Sequence, residues 1–139
     1  MNVYDLNFAR YCWRGNEDTA PESSGVYCAY SCVKQEGQLF VDELLYVGQT
    51  GNLRNRLKEH TSSGKFKPEL DAGKVVFYAW AVLDGRSLTA CEAAMISHYR
   101  PRYNEQLKDG FRGHDVTRVS CSGEWAFRVK GEFTEEPTV

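Results

Sequence analysis

Residues 74–83 of this chain read KVVFYAWAVL and carry no charged side chain after Lys74. β-Branched and aromatic residues dominate the run, which predicts a strand buried near the centre of a β-sheet. Two similar runs precede it, at residues 25–33 and 39–47, and a polar turn separates them. We expect these two runs to pair as a hairpin within the same sheet.

Two helices are predicted, one on each side of the third strand in the sequence. The first covers residues 52–60 with Asn52 as its N-cap, and the second covers residues 87–99 and ends before Pro101. Residues 61–73 are predicted to form a polar loop. The expected fold class is α+β (mixed α/β): a small, mostly antiparallel sheet of about three central strands flanked by helices.

The sequence predicts less order outside this core. We divide the chain into an irregular N-terminal lead-in at residues 1–20, a core at residues 21–107, and a C-terminal extension at residues 108–139. The extension can belong to the same domain, with a final hairpin formed by residues 116–120 and 125–130.

The five cysteines do not form a disulfide framework. Their number is odd and their spacing irregular, which favours reduced thiols and a cytoplasmic protein. Zinc bound by Cys28 and Cys32 with His60 or His98 is disfavoured, because no second closely spaced Cys or His pair accompanies them. No apolar run has the length that crosses a membrane, and the first residues lack the pattern of a secretory signal.

The distribution of charge is uneven. The net charge of −2 argues against a strongly basic nucleic-acid-binding domain. Between residues 54 and 74, however, six Lys and Arg residues outnumber three Asp and Glu residues. This excess predicts a local DNA-binding face, and an ordinary solvated helix face is the alternative. The residues of the predicted face are Arg54, Lys58, Lys65 and Lys67.

The first predicted helix carries two polar residues beside its inner face. Leu53 and Leu57 are its apolar anchors, and Arg56 and His60, also four residues apart, flank the same face. In a purely structural interpretation, Arg56 buries only its aliphatic stem and His60 is a partly buried histidine with a hydrogen-bond partner. In a functional interpretation, both side chains face a site.

The second predicted helix has a carboxylate inside its apolar stripe. The residues around Glu92 in this stripe are Leu88, Cys91, Met95, Ile96 and Tyr99. A carboxylate among apolar side chains is costly unless it meets a cation or a metal ion. Glu92 is therefore expected either to pair with an arginine such as Arg56 or to bind a metal.

Two tyrosines lie beside glycines in the predicted hairpin, in the triplets GVY (25–27) and YVG (46–48). They are followed by the helix at residues 52–60, by Glu92 and by Asn104. This order resembles the GIY-YIG nuclease family, in a small single-domain form. The stretch YVGQTGNLRNRLKEH is similar to the second motif and following helix of that family. The stretch LTACEAAMISHYRPRYN is similar to its glutamate helix and terminal Pro-x-x-Asn.

The chain departs from the family pattern in three respects. Both triplets carry valine where the family name has isoleucine, which is a conservative change. Eighteen residues, 28–45, separate the triplets, so the hairpin is expected to be extended. The resemblance does not explain the segment after Asn104.

The resemblance implies an endonuclease that hydrolyses phosphodiester bonds in DNA. One inward carboxylate points to one divalent metal ion, Mg²⁺ or Mn²⁺, with Glu92 as its ligand. Tyr27 is then the candidate general base for the attacking water. Arg56 would stabilise the phosphate, because its planar guanidinium matches the geometry of phosphate oxygens.

The other matched residues have supporting roles by the same resemblance. Tyr46 would position water or phosphate, and His60 would orient or relay the proton or bind phosphate. Gly25 and Gly48 allow close approach of the backbone or of a ligand. Asn104 would brace the site.

Two other classes of function remain open from the sequence. One is a catalytically inactive GIY-YIG-like module that binds nucleic acid or a partner, and the other is a structural domain in which Glu92 merely pairs with Arg56. DNA is the expected partner, without a membrane or an organic cofactor, and a homodimer is compatible with the sequence. The preferred DNA structure, preference over RNA, and a role in repair, restriction or anti-phage defence are left open.

Overall fold

The computed structural model describes residues 1–105 and 110–138. The strands in this part of the chain are β1 (Asn2–Asn7), β2 (Arg10–Trp13), β3 (Gly25–Gln35), β4 (Gln38–Thr50), β5 (Val75–Val82), β6 (Thr117–Ser122) and β7 (Gly131–Glu135). The α-helices are α1 (Leu53–Ser63), α2 (Lys67–Asp71) and α3 (Thr89–Tyr99). The fold class is therefore α+β, as predicted.

The strands form two sheets. The central sheet is antiparallel, with the order β2-β5-β3-β4, and it contains the predicted β3–β4 hairpin. The smaller sheet has the order β1-β6-β7, in which β1 and β6 are parallel. The inner strands β3 and β5 are buried along most of their length, because structure covers both faces of the central sheet.

The two faces of the central sheet are covered by different elements. On one face, Leu53 and Leu57 of α1 are fully buried in a cluster that includes Tyr27. On the other face, α3 and the smaller sheet pack together, with Met95 and Val119 fully buried. Burial of each of these side chains contributes about 1.5–3 kcal/mol, which fixes the helices in place. Side chains of α1 and α3 can therefore meet only beyond an edge of the sheet, and β4 is such an edge.

The expected extension of the hairpin takes the form of two irregularities in β4. This strand has 13 residues and its partner β3 has 11. The register shifts between Ala29 and Tyr30 and again between Ser31 and Cys32, which leaves Leu45 and Asp42 of β4 without partners. Such β-bulges bend a strand and redirect its side chains. After the bulge at Leu45, both Leu45 and Tyr46 contact the cluster that contains α1.

Some predictions for the ends of the chain are wrong. The N-terminal lead-in is not irregular, since β1 and β2 each pair within a sheet. β1 pairs with β6, 115 positions away, so no local pattern could reveal this contact. The C-terminal hairpin exists, but its second strand is β7 at Gly131–Glu135 rather than residues 125–130.

Two further predictions concern segment boundaries. The loop expected at residues 61–73 contains the end of α1 and the short helix α2, which Pro68 favours because proline suits the first helical turn. The expected core boundary between residues 107 and 108 lies outside the described residues. None of the helices in the described part of the chain is long and apolar enough to cross a membrane.

Candidate active site

Helix α1 carries two of the predicted site residues, and both of its ends are fixed by the local sequence. The side chain of Asn52 accepts a hydrogen bond from the backbone N–H of Asn55 at 3.1 Å, as predicted for an N-cap. Gly64 ends the helix in the left-handed conformation, at φ 72°. With Leu53 and Leu57 buried against the sheet, Arg56 and His60 lie on the adjacent flank of the helix.

Tyr27 and His60 form a buried hydrogen-bonded pair. The hydroxyl of Tyr27 lies 2.7 Å from Nε2 of His60, and the two residues are 1% and 3% exposed. Burial, with the charges of Arg56 and Lys65, lowers the pKa of His60 to about 4, so its imidazole is neutral at pH 7. Burial raises the pKa of Tyr27 above its ordinary value, with a further contribution from Tyr46. The pair is therefore uncharged at neutral pH.

The two glycines of the motifs allow close packing at two points. Gly48 pairs with Tyr27 in the β3–β4 register, and a Cβ at Gly48 would lie 2.5 Å from Cζ of Tyr27. A Cβ at Gly25 would overlap the carbonyl oxygen of Ala81 on β5 and lie 3.0 Å from Cδ1 of Leu53. Gly48 therefore provides space for the Tyr27 ring, and Gly25 allows close approach of β5.

Glu92 does not pair with Arg56. Arg56 instead binds Glu59 on its own helix, at 2.8 Å between Nη1 and Oε2. Oε2 of Glu92 accepts a hydrogen bond from the backbone N–H of Gln49 at 2.9 Å, and Glu92 forms no ion pair within residues 1–105 and 110–138. Burial raises the pKa of Glu92, whereas the Gln49 N–H and the positive charge of Arg56 act in the opposite direction.

A cleft of about 360 Å³ brings predicted residues from three elements together at the β4 edge. Tyr46 comes from β4, Arg56 from α1 and Glu92 from α3, while Lys65 and Asn104 complete the predicted lining residues. Lys65 places its Nζ 4.6 Å from the centroid of the Tyr46 ring. Tyr27 and His60 lie behind Tyr46, with ring centroids 6.0 and 5.2 Å from its centroid.

Sequence reasoning missed three residues that line the cleft: Ile96, Tyr103 and Glu105. Ile96 follows Glu92 by one helical turn, so the helical period could have identified it. Tyr103 directly precedes Asn104 in the final motif. No pattern in the sequence distinguishes Glu105, which is an exposed residue at the rim.

Asn104 closes the outer edge of β4 at Val47. It is 4% exposed, its Oδ1 accepts from the backbone N–H of Val47 at 3.0 Å, and its Nδ2 donates to the Val47 carbonyl at 2.9 Å. The backbone N–H of Tyr103 donates to the carbonyl of Leu45 at the bulge, at 3.0 Å. The segment that contains Asn104 thus replaces a missing neighbouring strand and keeps this edge from pairing with another chain.

The structure does not group the four residues of the predicted basic face at the cleft. Lys58 is paired with Asp18, Lys67 with Asp71 at 3.0 Å, and Arg54 lies 3.8 Å from Glu22. Of the four, Lys65 alone lines the cleft. Local acidic residues therefore offset much of the positive charge that the sequence suggested.

The donor set of the cleft fits a hydrated divalent cation. Glu92 offers a half-buried carboxylate, and no group of three Asp, Glu, His or Cys side chains in the described part of the chain is arranged to hold a metal. Mg²⁺ is commonly bound in this way, through one or two carboxylates with water and substrate phosphate as the other ligands. Cys28 and Cys32 are free, buried thiols.

Comparisons with known proteins give a consistent result. The GIY-YIG catalytic domain family matches residues 24–104. UvrABC system protein C of Protochlamydia amoebophila (strain UWE25) is 31% identical in an alignment of 128 residues, and the alignment covers 86% of this chain and 19% of that protein. The chain thus spans about a fifth of the length of this relative.

Two similar crystal structures show the GIY-YIG N-terminal endonuclease domain of UvrC from Thermotoga maritima. One is a point mutant bound to its catalytic divalent cation, with 27% identity, coverage of 67% of this chain and 94% of that chain, and a TM-score of 0.45. The other is bound to magnesium, with 28% identity, coverage of 66% and 93%, and a TM-score of 0.44.

The family match covers both tyrosine motifs, helix α1, Glu92 and Asn104. The prediction of a GIY-YIG endonuclease is thereby confirmed at the level of the family. Because the match extends over more than half of the residues, the chain belongs to the GIY-YIG family, and residues 24–104 are its catalytic domain.

Proposed function

We propose that this chain is an endonuclease that hydrolyses phosphodiester bonds in DNA with one divalent metal ion. One observation carries the proposal: a single cleft combines the carboxylate of Glu92, the guanidinium of Arg56 and the phenol of Tyr46, with Tyr27 and His60 directly behind them. Hydrolysis of a phosphodiester needs a metal ligand, a donor to phosphate oxygens and a proton acceptor. These side chains can supply all three.

Glu92 is the proposed ligand of one Mg²⁺ or Mn²⁺ ion. Its Oε2 is held by the Gln49 N–H at 2.9 Å, which orients the carboxylate toward the cleft. When bound, the metal would offset negative charge on the phosphate and on the leaving oxygen. The first turn of α3 also favours a carboxylate at this position, because the helix dipole is positive there.

Arg56 is the proposed donor to the non-bridging phosphate oxygens. Its side chain is 41% exposed and lies in the cleft, so that it can reach a substrate. Without substrate, Arg56 pairs with Glu59. Because this ion pair is exposed, it contributes little stability, and replacing it with a contact to phosphate costs little free energy. Lys65, above the Tyr46 ring, would contribute a second positive charge near the phosphate.

Proton transfer is proposed to run from water to Tyr27 and from Tyr27 to His60. Neutral Tyr27 is a weak base, but the neutral His60 at 2.7 Å can accept its hydroxyl proton as the water is deprotonated. Tyr46 would position the water or the phosphate. Tyr46 is also the second candidate for the base, because it lines the cleft whereas Tyr27 is 1% exposed.

The biological setting is part of the proposal. The five buried free thiols fit a reducing cytoplasm. DNA as substrate is supported by membership in a family of catalytic domains and by similarity to a UvrABC system protein. This cleavage is compatible with repair, restriction and defence, and a homodimer would supply a second active site for the other strand of a duplex.

The test is cleavage of a panel of labelled DNA substrates, comprising single strand, duplex, flap and branched forms, with Mg²⁺, with Mn²⁺ or with EDTA. We expect metal-dependent cleavage of at least one form, at a defined phosphodiester bond. RNA of the same sequences is the matched comparison. No cleavage of any nucleic acid by the folded chain with either metal would contradict the proposal.

A further inference from the structure

A second concave surface lies next to the active-site cleft along β4. This arginine cavity has a volume of about 400 Å³, and three guanidinium groups and one carboxylate line it, from Arg100, Arg102, Arg128 and Glu43. Strand β4 and residues 100–105 contribute walls to both the arginine cavity and the active-site cleft. Glu43 and Tyr46, which line the two concavities, are three positions apart on β4, so their Cα atoms are at most about 10 Å apart, roughly the length of three base-pair steps of B-DNA.

Arg128 contributes a positive charge to this cavity. Its Nη2 donates to the backbone carbonyls of Val41 at 3.2 Å and Asp42 at 2.9 Å, at the second bulge of β4. These acceptors are neutral, and within residues 1–105 and 110–138 Arg128 forms no ion pair. The carboxylate of Asp42 is bound by Lys74 instead, at 2.8 Å.

Arg102 has a different role in the cavity, because it is bound by two carboxylates. Its guanidinium contacts Glu43 at 2.9 Å and the buried Glu69 at 3.1 Å. These contacts fix one wall. Arg128, whose acceptors are neutral carbonyls, is therefore the arginine of the cavity to which an incoming anion is assigned.

Two arginines of the cavity, Arg100 and Arg128, have a left-handed backbone conformation, which favours glycine. Arg100 has φ 49° and Arg128 has φ 65°, and Glu36 is the one other non-glycine residue with positive φ in the described part of the chain. Glycine or asparagine usually takes such positions, because a side chain is disfavoured there. Arginine is therefore an unusual residue at both positions.

We propose that the arginine cavity binds the phosphate backbone of DNA that extends beyond the scissile phosphate. The inference rests on the proposed function, because it needs DNA in the cleft. It places the DNA-binding face at the β4 edge rather than on α1 and α2, where Lys58 and Lys67 are paired with Asp18 and Asp71. Arginine suits this contact because its planar fork binds phosphate oxygens in pairs.

The test is the salt dependence of DNA binding, measured by fluorescence anisotropy on the full chain without divalent metal. Arg128→Gly removes the charge, and glycine readily adopts the positive φ at this position. Arg128→Lys keeps the charge. Arg118→Ala is the matched control, because it removes an exposed arginine from the smaller sheet. On a long duplex, Arg128→Gly should reduce the slope of log K against log salt by about one unit. Arg128→Lys and Arg118→Ala should leave the slope unchanged.

Substrate length separates this proposal from the proposed function. Shortening the DNA stepwise from either end should remove the effect of Arg128→Gly, while single-turnover cleavage of the shorter substrate with Mg²⁺ continues. An unchanged slope for Arg128→Gly, in a chain that still binds and cleaves DNA, would overturn the arginine cavity alone. An equal loss on long and short substrates would also overturn it. Failure of the parent chain to bind or cleave any DNA would overturn both proposals.

Discussion

The hydroxyl of Tyr27 and Nε2 of His60 lie 2.7 Å apart in a buried part of the site, behind a cleft lined by Arg56 and Glu92. When Tyr27 takes a proton from water and gives its own to His60, the phenol stays neutral and the positive charge appears on the imidazole. This relationship links the GVY triplet on β3 to helix α1, and it leads to the first two predictions.

Tyr27→Phe should reduce the rate of the chemical step by at least about a hundredfold, the usual scale for losing a general base. Phenylalanine keeps the ring packing and removes only the hydroxyl, so DNA affinity should stay within a few-fold of the parent. The measurement is single-turnover cleavage with saturating enzyme, which separates chemistry from product release. Tyr78→Phe is the control, since it removes a buried hydroxyl from β5 of the same sheet, where that hydroxyl bonds to Thr61 of α1.

Tyr46→Phe decides between the two candidate bases. A milder loss than for Tyr27→Phe fits a positioning role. If Tyr46→Phe abolishes the chemical step while Tyr27→Phe remains near the parental rate, the base is Tyr46 and the Tyr27–His60 relay is wrong.

His60 should make the folded state sensitive to moderate acid. Its pKa is lowered from 6.5 to about 4 in the folded chain. Between these values the unfolded chain binds a proton at His60 and the folded chain does not, so stability falls as pH drops from 6.5 to 4. The contribution is up to about 3 kcal/mol. Urea denaturation at neutral pH and near pH 4.5 measures it.

His60→Gln is the matched variant for this measurement, because glutamine keeps a hydrogen-bonding group and does not titrate. The parent should lose more stability between the two pH values than the variant does. An equal loss in both proteins would mean that His60 titrates normally in the folded state.

Gly48→Ala and Gly25→Ala should each destabilise the fold by about 1–3 kcal/mol, the cost of overpacking a rigid site. The added methyl group would overlap the Tyr27 ring in the first variant and the Ala81 carbonyl in the second. Gly51→Ala is the control, because its Cβ would meet nothing within 4 Å. Denaturant titration gives the three free energies of unfolding, and similar values for all three would contradict the close approach.

Asn104→Ala should destabilise the chain by about 2–4 kcal/mol, because it leaves both backbone groups of Val47 without their partner, at about 1–3 kcal/mol for each unsatisfied group. Asn55→Ala, an exposed asparagine on α1, should have little effect. Hydrogen exchange at the Val47 amide provides a local readout. Unchanged protection at that amide in Asn104→Ala would show that the contact does not hold β4.

The sequence allowed good predictions wherever the relevant contacts are local. Apolar runs located β3, β4 and β5, and the helical period placed Leu53, Leu57, Arg56 and His60 on adjoining faces of α1. Glu92 was identifiable because a carboxylate in an apolar stripe is unusual. The motif order then allowed the family to be recognised, and the family match confirms it.

The predictions failed where partners lie far apart in the chain. β1 depends on parallel pairing with β6, which no short-range hydrophobic pattern in the sequence can reveal. Of the two alternatives for Glu92, an ion pair with the distant Arg56 is absent, because Glu59 on the same helix pairs with Arg56 instead. The basic face was predicted from the residues between positions 54 and 74, a range that does not include Asp18, the partner of Lys58 in the folded chain.

The most direct test of the account is single-turnover DNA cleavage by Glu92→Gln in the presence of Mg²⁺. Glutamine preserves the shape of the side chain and its contact with the Gln49 N–H but removes the charge proposed to hold the metal. Glu105→Gln is the matched control, since Glu105 also lines the cleft but is exposed at its rim. The account predicts loss of cleavage by at least about a hundredfold for Glu92→Gln, with folding and DNA binding retained, and near-parental cleavage for Glu105→Gln. Parental cleavage by a folded Glu92→Gln variant would contradict the assignment of Glu92 as the metal ligand.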